Sequence, residues 1–381
     1  MRSVILTSPF DVFSGALDET LLWLCAIPSP IGEEDAICDA VQARLQKQEL
    51  AGPIRRYGNS IVVPLTRGSR SMSGERPTHI ALVGHLDTVR TENGPARIDG
   101  DRVYGAGAAD MKSGLAVMIA LAETTRPLLP CDVTLVFYAK EEGPYEGNEL
   151  GPVLEQDPEL ANVDLAVCLE PSDNRLQLGC NGSLHATVTF EGRTAHSSRP
   201  WQGDNAIVKA AALLTELGKL QPDDHVLDGH TYRGVVTVTQ AKDGGRGRNV
   251  VPDVFALNLN YRFPPDVAID EAEARLRALV IGPAHEHGWD GPEPRIEITD
   301  RSPAAPPNGN HPLIAKLIEA GVKSVEPKQA WTDVARFAAR GIPAVNFGPG
   351  ENAQAHQKNE STSLALMHDG FQIIKRWLLS L

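Results

Sequence analysis

The sequence has few cysteines, and their spacing does not fit a disulfide or thiolate-metal framework. Only five occur among 381 residues, and none forms a CxxC pair. The five are Cys25, Cys38, Cys131, Cys168 and Cys180. Disulfide frameworks and thiolate zinc sites need paired or closely spaced cysteines. We therefore predict buried thiols in a reducing compartment.

Clustered positive charge and long apolar runs are also lacking. The formal net charge is −13, and no run of Lys or Arg is longer than a pair. This argues against nucleic acid or an anionic membrane as a partner. No apolar stretch reaches the roughly 18 residues of a membrane-spanning helix. The short apolar run at 4–6 is soon followed by Asp11, which does not fit a signal peptide. We expect a cytoplasmic protein.

The length and composition favour a globular protein with two domains. Hydrophobic residues make up 42% of the chain and charged residues 22%, which is typical of folded proteins. A chain of 381 residues is long for a single core.

The first half alternates strand patterns with helical patterns. A helical pattern at 20–49 is interrupted by a turn at 28–32, and another lies at 111–125. Short apolar runs are found at 60–64, 79–83, 133–138 and 165–169. Apolar strands that alternate with helices predict an α/β sheet covered on both faces.

From residue 184 the order of elements becomes β-α-β-β-α-β, which is the ferredoxin-like pattern. Its helical patterns lie at 205–220 and 269–287, and its strands at 184–190, 234–240, 254–263 and 295–299. We therefore predict an α/β protein with an inserted domain. A mixed-sheet catalytic domain would consist of residues 1–181 and 302–381, and a ferredoxin-like α+β domain at 182–301 would interrupt it.

Metal-ligating residue types follow several of the predicted strands. They are His85 and Asp87, Glu141 and Glu142, Glu170, and His356, with Asp110 just before a helix. In open α/β sheets the carboxyl ends of strands meet at one crevice, so these side chains are expected to converge. Clustered carboxylates repel one another unless cations are present. Imidazole with carboxylate suits zinc, and less well cobalt or manganese.

The motifs that carry these residues resemble the M20 metallopeptidase/deacylase family, in order, over nearly the whole chain. They are His85-Leu86-Asp87-Thr88, Gly107-Ala108-Ala109-Asp110-Met111-Lys112, Glu141-Glu142, Glu170-Pro171 and the late His356. The resemblance implies a linear amide hydrolase with two Zn²⁺ per subunit, for which Co²⁺ can substitute.

The same resemblance implies a role for each residue. His85 and Glu170 would bind one zinc, Glu142 and His356 the other, and Asp110 would bridge the two. Glu141 would be the general base that takes a proton from water. Asp87 would accept the free ring N–H of His85 and so fix its tautomer.

The inserted domain resembles the lid and dimerisation domain of this family. Gly192-Arg193-Thr194-Ala195-His196, followed by Pro200, is similar to the family's lid histidine motif. This implies a homodimer in which His196 acts in the site of the partner subunit. Asn249, Arg262 and Asn352 resemble positions that bind the carboxylates of the substrate, here a small N-acyl amino acid.

Within the family, several segments resemble the actinobacterial desuccinylases. They are Ala195-His196-Ser197, residues 203–207, Trp331-Thr332-Asp333 and residues 341–350. This implies hydrolysis of N-succinyl-LL-2,6-diaminopimelate to succinate and LL-2,6-diaminopimelate. The chain has Cys180-Asn181 where proteobacterial desuccinylases have Arg-Arg, so its contacts with the substrate must differ there.

Two further interpretations of the sequence stay open. The chain could be an acetylornithine deacetylase or a dipeptidase or carboxypeptidase of the same family. It could also be a non-catalytic, metal-stabilised binding protein, although such a protein would have no need of the base Glu141.

Overall fold

The computed structural model of the chain describes residues 14–68, 76–124, 129–245, 247–286 and 292–381. The predictions made for residues 4–11, and the last residues of the predicted helices at 111–125 and 269–287, lie outside these ranges. The described residues form ten α-helices. The helices are α1 Ser14–Cys25, α2 Asp35–Leu45, α3 Lys112–Thr124, α4 Leu150–Gln156, α5 Ala206–Lys209, α6 Ala211–Leu217, α7 Ile269–Glu286, α8 Pro312–Glu319, α9 Val334–Ala338 and α10 Leu364–Leu379.

The described residues also form eighteen β-strands. The strands are β1 Arg55–Tyr57, β2 Ser60–Thr66, β3 His79–His85, β4 Arg97–Asp99, β5 Arg102–Tyr104, β6 Asp132–Tyr138, β7 Leu165–Cys168, β8 Leu176–Leu178, β9 Gly182–Glu191, β10 Ala195–His196, β11 Asp223–Leu227, β12 His230–Asp243, β13 Val250–Val251, β14 Val254–Phe263, β15 Arg295–Ser302, β16 Val325–Pro327, β17 Ala344–Asn346 and β18 Ser361–Ser363.

Two compact units make up the chain. The first consists of the described residues within Met1–Leu178, Asn308–Glu326 and Arg336–Leu381, and the second of those within Gly179–Pro307 and Pro327–Ala335. The second unit therefore extends beyond residues 182–301. Hydrogen bonds explain why the later segment belongs to it. Trp331 Nε1 donates to the carbonyl of Pro303 at 2.9 Å, and Gln329 Nε2 donates to that of Thr231 at 2.8 Å.

A mixed sheet of eight strands forms the centre of the first unit. The strand order is β1-β2-β6-β3-β7-β17-β8-β16. Neighbouring strands are parallel within the inner series β6-β3-β7-β17. On either side of this series, β2 pairs with β6 and β8 pairs with β17 in antiparallel orientation. All seven residues of β3 are buried, as expected for a strand covered on both faces. The carboxyl ends of the parallel strands consequently lie at one edge.

The second unit has an antiparallel sheet of five strands in the order β11-β12-β14-β9-β15. Alternate residues of β9 and β14 share a core with residues of α5, α6 and α7. The predicted mixed α/β fold with a ferredoxin-like unit is confirmed. Two details differ from the prediction: β11 adds a fifth strand, and the helical pattern at 205–220 is divided into α5 and α6, which meet at Ala210.

None of the described helices combines the length and apolar character that crossing a bilayer requires. All five cysteines are buried, and none of them forms a disulfide.

Candidate metal centre

Three of the predicted ligands converge beyond the parallel strands of the first unit. Ligand atoms of His85, Asp110 and Glu142 all lie within 4.8 Å of one another. His85 is the last residue of β3, Glu142 follows β6, and Asp110 precedes α3. The parallel pairing of β3 with β6 brings their carboxyl ends together, and this explains why residues so distant in sequence meet.

His356 joins this cluster from the C-terminal part of the chain. Its Nε2 is 3.0 Å from Glu142 Oε1 and 3.4 Å from Asp110 Oδ2. The other oxygen of Asp110, Oδ1, is 3.3 Å from Nε2 of His85. The two carboxylate oxygens of Asp110 therefore face two different imidazoles.

The loop that leads to His356 depends on two glycines. A Cβ at Gly348 would lie 2.2 Å from the carbonyl oxygen of Leu169 and 2.4 Å from that of Glu170, and a Cβ at Gly350 would lie 2.1 Å from that of Ala109. Only glycine permits so close an approach to the segments that carry Glu170 and Asp110. His356 itself has a φ of 61°, a conformation uncommon for a non-glycine residue and frequent at functional sites.

The electrostatics of the cluster favour positive charge. Burial alone would lower the pKa of His85, but its hydrogen bond to Asp110 and the charges of Glu170, Asp87 and Glu141 raise that pKa well above its usual value. Hydrogen bonds to Asp110 and Glu142 raise the pKa of His356 to about 10. Burial would raise the pKa of Asp110, but hydrogen bonds to His356 and His85 hold it below its usual value.

Asp87 supports both members of the Glu141-Glu142 pair. Its carboxylate is fully buried. Oδ1 accepts the backbone N–H of Glu141 at 3.1 Å and Oδ2 that of Glu142 at 2.9 Å. Nδ1 of His85 lies 3.0 Å from the backbone oxygen of Asp87 and 3.6 Å from its nearest carboxylate oxygen. The backbone carbonyl of Asp87 is thus the nearer partner of the imidazole.

One residue at the cluster was not predicted from the sequence. Glu360 is 2% exposed, and its carboxylate accepts backbone N–H groups of the loop that carries Asp110. Burial raises the pKa of this carboxyl to about 7, although those N–H groups act in the opposite direction. The only sequence signal was its place four residues after His356, because a buried carboxylate that binds backbone creates no periodic pattern.

Three other predicted site residues belong to the second unit. His196 is exposed on β10, and its Nδ1 lies 2.8 Å from the hydroxyl of Ser198. Asn249 has an exposed side chain, and its backbone oxygen accepts the N–H of Ser197 at 2.9 Å. Arg262 on β14 is half-buried, and its Nε donates to Asn260 Oδ1 at 3.0 Å. Burial lowers the pKa of Arg262.

Asn352 lies in the first unit, exposed, on the segment that leads to His356. The Cys180-Asn181 pair is buried in the second unit. Asn181 Nδ2 donates to the carbonyl of Arg233 at 2.8 Å, and Cys180 Sγ lies 3.6 Å from that of Thr332. These two side chains therefore take part in interior packing.

The residues fit a pair of divalent cations. The donors are two imidazoles and several carboxylates without a thiolate, a set that suits zinc and related metals. The potential that favours protonated imidazoles also favours metal cations. A carboxylate whose two oxygens face different imidazoles can bridge two ions. A mixed α/β sheet with such a cluster beyond its parallel strands fits a metal-dependent hydrolase.

The chain belongs to peptidase family M20/M25/M40, whose model matches residues 81–380. It is 38% identical over 359 residues to a Mycobacterium tuberculosis protein named as a succinyl-diaminopimelate desuccinylase, covering 93% of this chain and 96% of the relative. It is 35% identical over 360 residues to the succinyl-diaminopimelate desuccinylase of Corynebacterium glutamicum, covering 93% and 94%. The predicted family and the predicted class, a metal-dependent amidohydrolase, are confirmed.

Solved structures confirm the fold. A Staphylococcus aureus tripeptidase superposes with a TM-score of 0.77 at 19% identity, covering 96% of this chain and 98% of that one. A Bacillus subtilis dinuclear metal-binding peptidase from the M20 family gives a TM-score of 0.71 at 15% identity, covering 97% of this chain and 98% of that one.

Proposed function

We propose that the protein hydrolyses the amide bond of N-succinyl-LL-2,6-diaminopimelate to succinate and LL-2,6-diaminopimelate. The observation that carries this proposal is the identity of 35–38%, over 93% of the chain, to relatives named for that activity. The ligand cluster of the first unit supports it, because the residues needed for amide hydrolysis are present. In this proposal residues 1–181 and 302–381 are the catalytic domain, except that the segment 327–335 lies with the second unit. Residues 182–301 are the lid and dimerisation domain.

The proposed cofactor is a pair of Zn²⁺ ions, for which Co²⁺ can substitute. His85 and Glu170 would hold one ion, Glu142 and His356 the other, with Asp110 between them. The positions of the Asp110 oxygens, 3.3 Å from His85 and 3.4 Å from His356, support this assignment. When bound, the ions supply Lewis acidity, which acidifies water and stabilises negative charge on the amide oxygen.

Glu141 is the proposed general base. Its carboxylate takes a proton from the attacking water while the water oxygen forms a bond to the amide carbon. It then delivers that proton to the leaving nitrogen as the C–N bond breaks, which yields a carboxylic acid and an amine. Transfer of the acid's proton to the amine gives the carboxylate and ammonium products. The buried Asp87 supports this role, because it holds the backbone N–H groups of Glu141 and Glu142 with separate oxygens and so fixes the pair.

Arg262, Asn249 and Asn352 are proposed to bind the carboxylates of the substrate. Arg262 supports this best, because its guanidinium is half-buried and forms no ion pair with any residue that the structure describes. A partly desolvated guanidinium is well suited to a bidentate carboxylate. Each such contact contributes about 1.5–3 kcal/mol.

The proposed assembly is a homodimer in which His196 donates to the developing oxyanion in the site of the partner subunit. Two features of the second unit support it. His196 is exposed, and the outer strands β11 and β15 could pair across a two-fold axis. We also propose a cytoplasmic location, which the five cysteines without disulfides support.

Metal removal tests the proposal. Chelation should abolish hydrolysis of N-succinyl-LL-2,6-diaminopimelate, and Zn²⁺ should restore it at about two ions per chain, because the ligand set fits two cations. Metal analysis by mass spectrometry alongside initial rates checks both statements. Full activity in protein stripped of metal would contradict the mechanism.

A further inference from the structure

We propose that Glu360 is a positioning residue of the metal centre, which fixes the loop carrying Asp110 and joins it to the segment carrying His356. The inference rests on the proposed metal-binding role of Asp110. It adds a residue that neither binds the ions nor touches the substrate.

The carboxylate of Glu360 binds three backbone groups in one loop. Oε1 accepts the N–H of Ala109 at 2.8 Å and that of Asp110 at 2.8 Å, and Oε2 accepts the N–H of Gly107 at 2.9 Å. The residue is 2% exposed, so water does not replace its carboxylate readily. Buried N–H groups without an acceptor are strongly unfavourable, and the loop therefore depends on this carboxylate for its conformation.

The backbone of Glu360 is held on both sides. Its N–H donates to Asn93 Oδ1 at 2.8 Å, and its carbonyl accepts the N–H of Gly105 at 3.0 Å. The next residues form β18, which pairs with β5, and β5 ends one residue before Gly105. Glu360 is therefore a fixed support, since both its backbone and its side chain are bound to the region around the Asp110 loop.

This arrangement connects two ligands from opposite ends of the chain. Glu360 follows His356 by four residues, and it binds the backbone N–H of Asp110 directly. Metal sites require ligand atoms within about 0.2 Å of their preferred distances. A shift in either segment would disturb the approach of Asp110 Oδ2 to His356. Loss of supporting contacts around metal ligands typically costs about 10–100-fold in metal affinity.

The variant Glu360→Gln tests the proposal in the full-length protein. Glutamine keeps the size of the side chain but replaces one acceptor oxygen with an NH₂ group that cannot accept a backbone N–H. Zn²⁺ is titrated by calorimetry into chelator-treated protein, and circular dichroism checks folding. We expect the Kd for Zn²⁺ to rise by about 10–100-fold.

Asp157→Asn is the matched control. The Asp157 side chain is also fully buried, and it accepts the backbone N–H of Glu159 at 3.0 Å and a bond from Arg55. It is not part of the candidate metal centre. We expect this variant to lower the melting temperature and leave the Kd for Zn²⁺ unchanged.

A folded Glu360→Gln protein with the wild-type Kd would overturn the inference and leave the proposed function intact. If that variant does not fold, Glu360→Asp is measured instead. It keeps the charge but is one carbon shorter, and an unchanged Kd would again overturn the inference. Failure of both variants to fold would overturn it as well, since it would show a role in folding alone. If the wild-type protein binds no Zn²⁺, that result would contradict the proposed function itself.

Discussion

Replacement of Asp87 by asparagine is expected to weaken catalysis through the backbone of the Glu141-Glu142 pair. Each Asp87 oxygen accepts one N–H, from Glu141 at 3.1 Å and from Glu142 at 2.9 Å. The asparagine side chain would keep the shape of the aspartate but would offer one acceptor in place of two. One part-buried backbone N–H would then lie unsatisfied beside the fully buried residue 87, at a cost of about 1–3 kcal/mol.

That cost is expected to appear in kinetics, because the affected N–H groups belong to the proposed base and a proposed ligand. If this cost of about 1–3 kcal/mol is added in full to the activation free energy, kcat falls by about 5- to 150-fold, since about 1.4 kcal/mol corresponds to a factor of ten. Initial rates at saturating Zn²⁺ measure the fall, and urea unfolding measures the loss of stability.

Asp157→Asn again serves as the control, since it removes a buried acceptor of a backbone N–H away from the cluster. It should lose stability without a change in kcat. If Asp87→Asn retains the wild-type kcat and the wild-type Zn²⁺ affinity, the support that Asp87 gives to the pair has no catalytic value, and the reasoning is refuted.

Three further predictions address the proposed roles. Glu141→Gln should keep its metal and lose about 10²–10⁴-fold in kcat, whereas Glu142→Gln should lower the metal content. Equal metal loss in both would show that the pair is wrongly assigned. Arg262→Leu should raise the KM for the succinyl substrate at unchanged metal content, because it removes a carboxylate partner; an unchanged KM would exclude Arg262 from substrate binding. Mixing inactive His196→Ala with inactive Glu141→Gln subunits should restore some activity, because one hybrid site is intact. A fully active monomer would contradict the homodimer.

The convergence of His85, Asp110, Glu142 and His356 could be predicted from the sequence. His85 and Glu142 each stand at or just after an apolar run, and the carboxyl ends of parallel strands share one edge. His356 follows a glycine-rich loop, and the structure explains the glycines through the backbone contacts of Gly348 and Gly350. Strand ends and glycine-rich loops depend on residues that are close together in the chain, so one sequence is enough to predict them.

Hydrogen bonds between side chains and distant backbone groups could not be predicted from the sequence. Glu360 binds the N–H groups of Gly107, Ala109 and Asp110, about 250 positions earlier, and nothing in its neighbours' identities indicates this. The two hydrogen bonds that Asp87 accepts from the backbone after β6 could not be predicted for the same reason. The association of residues 327–335 with the second unit likewise involves long-range hydrogen bonds, such as that from Trp331 to Pro303.

The most direct test of the proposed function compares two substrates with the same Zn²⁺-loaded protein. N-succinyl-LL-2,6-diaminopimelate and N-acetylornithine are hydrolysed side by side, and kcat/KM is measured for each. A site in which the half-buried Arg262 binds the succinyl carboxylate would leave that guanidinium unpaired with an acetyl group, and discrimination of this kind can reach about 10⁴-fold. We predict a large preference for the succinyl compound. Faster hydrolysis of N-acetylornithine would contradict the proposed substrate.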